Sequence, residues 1–202
     1  MVHPHPSKER SFVILKPDAV QRSLVGDIVK RFEQVGLKIT HLSFRVLDQK
    51  RVNEHYGKDD EWYLRKGQGI IENRKAHNLP VDKDALEYGK DIIRVVEAYM
   101  ISGPVVVAVL QGNQAVAVVK KLVGSTEPTT SDVGTIRGDY TLDSYSVAAL
   151  DDRGIRNLIH CSDSPEEAER EIALWLAPSD MLNYRLVAEQ ILYDVNLDGI
   201  ME

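Results

Sequence analysis

A single histidine, His160, stands between the apolar pair Leu158-Ile159 and the segment Cys161-Ser162-Asp163-Ser164-Pro165-Glu166-Glu167. Ser164 followed three residues later by Glu167 makes a capping box, and Pro165 suits the first helical position. A helix therefore starts there, and the spacing puts His160 just upstream, at the end of a short strand. A strand end holds an imidazole stiffly, and backbone donors at the helix start can help bind an anion. Imidazole is a competent nucleophile near neutral pH, because its ordinary pKa of about 6.5 leaves much of it unprotonated. To attack phosphorus, one ring nitrogen must be free while an acceptor pins the other. Glu171, in the second turn of the expected helix, is a candidate for that acceptor. An isolated histidine in such a place is more often a polar residue satisfied by Ser162 or by backbone. Cys161 reads as a small packing residue.

Other polar groups fall at the ends of elements. Lys16 ends the apolar run Phe12-Val13-Ile14-Leu15, Lys120 precedes Gly124-Ser125-Thr126-Glu127-Pro128, and Arg137 lies in Gly134-Thr135-Ile136-Arg137-Gly138-Asp139. Glycines flanking Arg137 let backbone approach a ligand. With Asn157, these cations could supply charge and hydrogen bonds to a triphosphate. Each taken singly is more often a solvated surface residue, and spacing does not prove that they converge. Other chemistries are excluded. No P-loop pattern is present. Lys66-Gly67-Gln68-Gly69 lacks the third glycine of a dinucleotide fingerprint and follows no strand. No cysteines and histidines have zinc-ligand spacing.

The elements that must position these groups follow from pattern. Phe12 to Leu15 is a buried strand stopped by Pro17. Val25, Ile28, Val29 and Phe32 recur at helical spacing, with Gly36 where a C-terminal cap belongs. Leu37 to Leu47 alternates with a slip near His41, which predicts a bulged strand. Asp48 caps a short helix ending near Tyr56. Lys58 to Leu79 is a polar stretch carrying glycines, and Asp82 caps a helix with a Leu86, Ile92, Ile93 and Val96 stripe. Pro104 to Leu110 is a central strand, because its apolar run is continuous rather than alternating. Val116, Val119 and Leu122 mark another helix, Gly124 to Asp143 is irregular, Leu158-Ile159 is a strand, and Pro165 to Leu176 is the last regular helix. This order predicts a ferredoxin-like α/β (α+β) sandwich, an antiparallel four-stranded sheet covered by helices. Residues 1–10 read as a mobile tail, 11–176 as one domain, and 177–202 as a C-terminal extension.

The 202 residues suffice for a substantial core, and 43% apolar with 28% charged residues is the balance of a soluble globular chain. No apolar run approaches the roughly 20 residues of a membrane span, and no targeting pattern opens the chain. One cysteine cannot form an internal disulfide, which favours a reducing compartment and a cytoplasmic location. A net charge of −6, without an aromatic-basic stripe, argues against nucleic-acid binding.

The segments Lys16-Pro17-Asp18-Ala19-Val20-Gln21-Arg22, Thr135-Ile136-Arg137-Gly138-Asp139 and Asn157-Leu158-Ile159-His160-Cys161-Ser162-Asp163-Ser164 closely resemble the signatures of nucleoside diphosphate kinases. Ser102-Gly103-Pro104, Leu122 to Pro128, and Glu169-Arg170-Glu171-Ile172 fit in the same order. The resemblance implies a ping-pong exchange, in which a nucleoside triphosphate loads His160 with its γ-phosphate and a nucleoside diphosphate removes it. It further implies that Glu171 and Ser162 orient the imidazole. Lys16, Arg137 and Asn157 would contact phosphates and ribose, Tyr56 would support the site, and Thr126 would bind a phosphate. Magnesium (Mg2+) would arrive on the nucleotide phosphates with no metal ligand set of the protein's own. Lys120 stands where the family usually has arginine; it keeps the charge but loses the planar fork, so phosphate binding at that position should be weaker. Two stretches, near 57–92 and 140–154, exceed the compact family pattern. The family's base-stacking phenylalanine has no clear counterpart, and Trp62 or the Ile92 region are the two alternatives. The family resemblance also implies a homo-oligomer, a hexamer or tetramer. The competing function is a catalytically weak nucleotide-binding module with a regulatory or scaffolding role; it would be signalled by loss of the histidine, lysine or asparagine, and all three are present.

Overall fold

The computed structural model describes residues 6–76 and 78–193. Strands β1 (Glu9–Leu15), β2 (Lys38–Arg45), β3 (Val105–Gly112) and β4 (Ile159–Cys161) form one sheet in the order β2-β3-β1-β4, every neighbour antiparallel. Helices α1 (Pro17–Gln21) and α2 (Val25–Gln34) join β1 to β2. Between β2 and β3 lie α3 (Gln49–Tyr56), α4 (Asp60–Ala76) and α5 (Ala85–Met100). Helices α6 (Ala115–Val123), α7 (Ile136–Tyr140) and α8 (Tyr145–Leu150) lead to β4, and α9 (Pro165–Trp175) and α10 (Ala188–Tyr193) follow it. β3 inserts between β1 and β2, which is the expected split arrangement of a ferredoxin-like sandwich.

The continuous apolar runs follow from burial on both faces. Val13 and Leu15 of β1 join Val106, Ala108 and Leu110 of β3 in a core with Ile28 and Phe32 of α2 and Val119 of α6. The alternate residues Phe12, Ile14, Val105, Val107 and Val109 pack on the other face with Val52, Met100, Ile172 and Trp175 from α3, α5 and α9. Side chains alternate across a strand, so a sheet covered on both sides needs apolar residues at every position. Each such Val or Ile contributes about 1.5–3 kcal/mol on burial.

The slip near His41 is a bulge: Ile39 faces Leu110 while His41 faces Val109, leaving Thr40 unmatched. The chain after α9 covers this part of the edge strand. Leu182 N–H donates to Thr40 O at 2.8 Å, the Tyr184 hydroxyl to Ile39 O at 2.7 Å, and Lys38 Nζ to Glu189 at 2.7 Å. Further along β2, Phe44 is 66% exposed and Val46, just beyond, 81%.

Four expectations need correction. Glu9 and Arg10 are not tail: they pair with Gly112 and Gln111 of β3, so the strand begins two residues earlier than its apolar run. The segment read as a polar glycine-bearing stretch holds the 17-residue helix α4. Gly67 is a packing position, not a breaker. A Cβ on Gly67 would sit 1.7 Å from Ala85 O, and one on Gly89 of α5 would sit 2.1 Å from Tyr63 O, so α4 and α5 approach closely as a hairpin. α5 is capped by Asp84 in a capping box with Glu87, whereas Asp82 accepts from the Tyr88 hydroxyl. Finally, the irregular stretch before Asp143 contains α7, capped by the Thr135 side chain.

Candidate active site

β4 places His160 opposite Ile14 of the inner strand β1, at the middle of β4 rather than at its end. The backbone before it is unusual. Leu158 has φ +68°, and Ile159 N–H donates across it to Asn157 O at 2.8 Å, the ring of a γ-turn. A bulky residue there is strained by about 1–3 kcal/mol. Two bonds from the start of the chain hold it: Leu158 N–H donates to Asp18 Oδ2 at 3.2 Å, and Leu158 O accepts from Lys16 N–H at 2.7 Å.

Glu171 sits on α9, whose first turn is capped by Ser164 as expected, and is 2% exposed. Its Oε2 accepts from the Ser162 hydroxyl at 2.6 Å and its Oε1 lies 2.9 Å from His160 Nε2. With Oε1 as the acceptor, the proton belongs on Nε2 and the lone pair on Nδ1. Among the described residues Nδ1 makes no hydrogen bond, and the His160 side chain keeps 20% exposure.

Residues that sequence reasoning missed complete this cluster. His55 of α3 is 3% exposed and lies between Tyr56 and the His160 ring, with ring centroids 4.4 and 4.6 Å away. Trp175 Nε1 donates to His55 Nδ1 at 3.0 Å, while His55 Nε2 is buried without a partner. An orphaned buried group of this kind costs about 1–3 kcal/mol. Burial first, and the nearby His160 second, lower the His55 pKa to about 2, so it is neutral. Asp18, which anchors the γ-turn, was also missed as a site group, although it follows Lys16-Pro17 directly.

The predicted cations divide into two kinds. Lys16, at the end of β1 and 8% exposed, donates to Asn157 Oδ1 at 2.7 Å, and Asn157 Nδ2 donates to Thr126 O at 2.8 Å. Desolvation, then the Arg137 charge, lower the Lys16 pKa to about 7. Arg137 is 6% exposed and its guanidinium bonds Asn157 O, Gly124 O, Ser125 O and Ile159 O. Four of its five N–H groups are thus used on backbone, leaving one for a ligand. Burial lowers its pKa as well. Lys120 is half-exposed and ion-paired with Asp163 at 2.8 Å. Thr126 meets the chain through its carbonyl, with its side chain exposed. Tyr56 ends α3 with its ring 5.6 Å from that of His160, and burial pushes its hydroxyl pKa up. Of the two stacking alternatives, Trp62 lies in α4 against Tyr63 and Lys66, and Ile92 is half-buried in α5. A surface depression of about 490 Å³, lined by Arg22 and residues 138–142, contains none of the predicted site residues.

Lys16 and Arg137 are cations held in low dielectric near an imidazole with one free nitrogen. Such a site is short of an anion. The arrangement suits an anionic substrate.

The comparisons narrow the class. A family model described as nucleoside diphosphate kinase matches residues 9–64 and 85–181. A nucleoside diphosphate kinase from Pyrobaculum aerophilum is 44% identical over 181 residues, covering 86% of this chain and 98% of that one. One from Methanocorpusculum labreanum is 38% identical, covering 92% and 99%. Among solved structures, the P. aerophilum NDP kinase superposes with a TM-score of 0.82 at 42% identity, covering 87% of this chain and all of that one. A nucleoside-diphosphate kinase from Borrelia burgdorferi, a transition-state mimic with bound vanadate and ADP, gives 0.74 at 30% identity, covering 91% and 95%. The chain belongs to the nucleoside diphosphate kinase family, enzymes that pass the γ-phosphate of a nucleoside triphosphate to a nucleoside diphosphate. Among the described residues, no helix is long and apolar enough to cross a membrane.

Proposed function

We propose that this chain runs the exchange as a ping-pong reaction through a phosphohistidine on His160. The observation that carries this is the 2.9 Å bond from His160 Nε2 to Glu171, which leaves the Nδ1 lone pair free to attack. In the first half-reaction Nδ1 bonds to the γ-phosphorus while the bond to the bridging β-γ oxygen breaks, its electron pair leaving on the diphosphate. In the second, a terminal oxygen of another diphosphate attacks phosphorus and the N–P pair returns to the ring. The Nε2 proton stays against Glu171, and Ser162 fixes the carboxylate. Lys16, the remaining Arg137 donor, Lys120 and Thr126 neutralise and orient the phosphates, Asn157 holds Lys16 in place, and Tyr56 packs the ring. Positioning and charge neutralisation are most of what phosphoryl transfer demands. Magnesium belongs to the substrate, entering on the nucleotide phosphates. A γ-labelled triphosphate alone should give an acid-labile phosphoenzyme that a diphosphate discharges; nucleotide binding with no label on protein would mark a non-catalytic module instead.

Glu171→Gln should lower kcat about 10²–10⁴-fold, because an amide cannot hold the productive tautomer as a carboxylate does. Steady-state transfer from ATP to GDP measures this, and wild-type kcat would contradict the role. Lys16 gives a proton-linkage prediction. With its pKa lowered to about 7, it is mostly neutral at pH 8 in the free protein. A bound polyphosphate favours the charged form. Binding at pH 8 should therefore take up protons, and affinity should fall as pH rises through 7 to 8. Calorimetry in buffers of different ionisation enthalpy reads the uptake, and Lys16→Met should remove it.

We further assign residues 9–176 to one kinase domain with insertions near 57–92 and 140–154, and 177–202 to a C-terminal extension. Homo-oligomer formation, as a tetramer or hexamer, is supported by the bare Phe44 and Val46 along the β2 edge. A cytoplasmic location is supported by the lone cysteine.

A further inference from the structure

We propose, on the phosphohistidine chemistry above, that His55 is a positioning residue that keeps Glu171 a carboxylate while the His160 ring is phosphorylated and cationic. Indole nitrogen can only donate, so the 3.0 Å bond from Trp175 Nε1 assigns the lone pair of His55 to Nδ1. The hydrogen of the neutral ring is then on Nε2. That N–H has no partner, and it lies 3.6 Å from Glu171 Oε1, the same oxygen that accepts from His160 Nε2 at 2.9 Å. A shift of about half an ångström would close the gap to hydrogen-bond length. Phe12, Tyr56, His160 and Trp175 all pack against the His55 ring, which limits its freedom to turn away.

A metal ion is the competing use for this cluster, since donor atoms of His55, His160 and Glu171 lie within 4.8 Å of one another. The tautomer argues against it. A metal needs a lone pair on the nitrogen facing the cluster, and Trp175 has drawn the lone pair to the far side of the ring. The three groups are arranged as two N–H donors on one carboxylate oxygen.

The consequence lies in the loaded enzyme. When Nδ1 of His160 bonds to phosphorus and the diphosphate departs with its electron pair, the ring becomes cationic with its proton still on Nε2. That proton has two possible homes, the ring or Glu171. Moving it to Glu171 would leave a neutral phosphoimidazole. A neutral ring accepts the N–P electron pair less readily when the acceptor diphosphate attacks, so discharge would slow. A second N–H aimed at Oε1 favours the charged carboxylate and so keeps the ring cationic.

Loading and discharge should be timed separately by rapid quench with γ-labelled ATP, using wild type, His55→Leu and His55→Gln. In His55→Leu, discharge should slow relative to loading. At a fixed ATP/ADP ratio the phosphoenzyme-to-free ratio should then rise about tenfold, the effect of one charge-assisted hydrogen bond. His55→Gln, which retains an N–H donor, should return that ratio to within about twofold of wild type. Loading and discharge slowed equally, or not at all, would reduce His55 to packing and overturn the proposal. Nitrogen NMR of the wild-type protein provides a reading that needs no variant to fold: a proton on His55 Nε2 is expected, and one on Nδ1 overturns the proposal. Wild type that never labels would refute the phosphohistidine itself, a distinct failure.

Discussion

His160→Ala should give a protein that folds, binds nucleotide and takes up no phosphate. Transfer from ATP to GDP should fall roughly 10⁴-fold or more, because the covalent route disappears when the nucleophile is removed. The fold should tolerate the change. His160 is partly exposed, and among the described residues its side chain bonds only Glu171, which keeps the Ser162 hydroxyl on its other oxygen. Single-turnover labelling with a γ-labelled triphosphate, quenched in base to preserve a phosphohistidine and then challenged with acid, gives the reading. The thermal midpoint controls for folding, and retention of nucleotide binding controls for the pocket. Acid-labile label persisting in the variant would move the chemistry to another side chain, and undiminished transfer would remove the covalent intermediate altogether.

Arg137→Ala should be the most damaging of these substitutions for the fold. Its guanidinium joins Gly124 and Ser125 after α6 to Asn157 and Ile159 around β4. Removing it strips a partner from four carbonyls, two of them in the buried Asn157–Ile159 segment and two, those of Gly124 and Ser125, nearer the surface. Each buried unsatisfied group costs about 1–3 kcal/mol before relaxation, so a loss of roughly 3–5 kcal/mol is expected. That is a large part of the 5–15 kcal/mol of an ordinary domain. Arg137→Lys should recover little, because an ammonium cannot reproduce the planar fork. Denaturant titration measures the loss. A change below about 1 kcal/mol would show that these bonds matter little, and would return Arg137 to the ligand-binding role that resemblance alone suggests.

Local chemistry was legible in the sequence, and long-range chemistry was not. The Ser164 cap located the start of α9 and hence His160, because capping involves residues three apart, although the Glu167 side chain takes Arg170 as its partner and does not close the expected box. The unbroken apolar run in β3 revealed a strand covered on both faces. The slip near His41 found the bulge. In contrast, Gly67 looked like a loop signal because its reason for being glycine, the backbone of α5, lies 18 residues away or more. His55 escaped notice for a similar reason. A histidine within a short helix shows no pattern of its own, and only the approach of Trp175 and Glu171 from α9 gives it a tautomer and a direction. Arg137 was recognised as a cation near the site, but its four carbonyl partners belong to segments 12 to 22 residues distant. No spacing rule could have identified it as a structural tie.

The turn at Leu158 separates two kinds of selection. Glycine there would release the backbone but forfeit a fully buried side chain, two changes of similar size and opposite sign. A library sorted only for heat resistance would therefore barely distinguish the two residues. Sorted for turnover, the same library should separate them, since the bend aims Asn157 and His160 and a looser hinge would blur that aim.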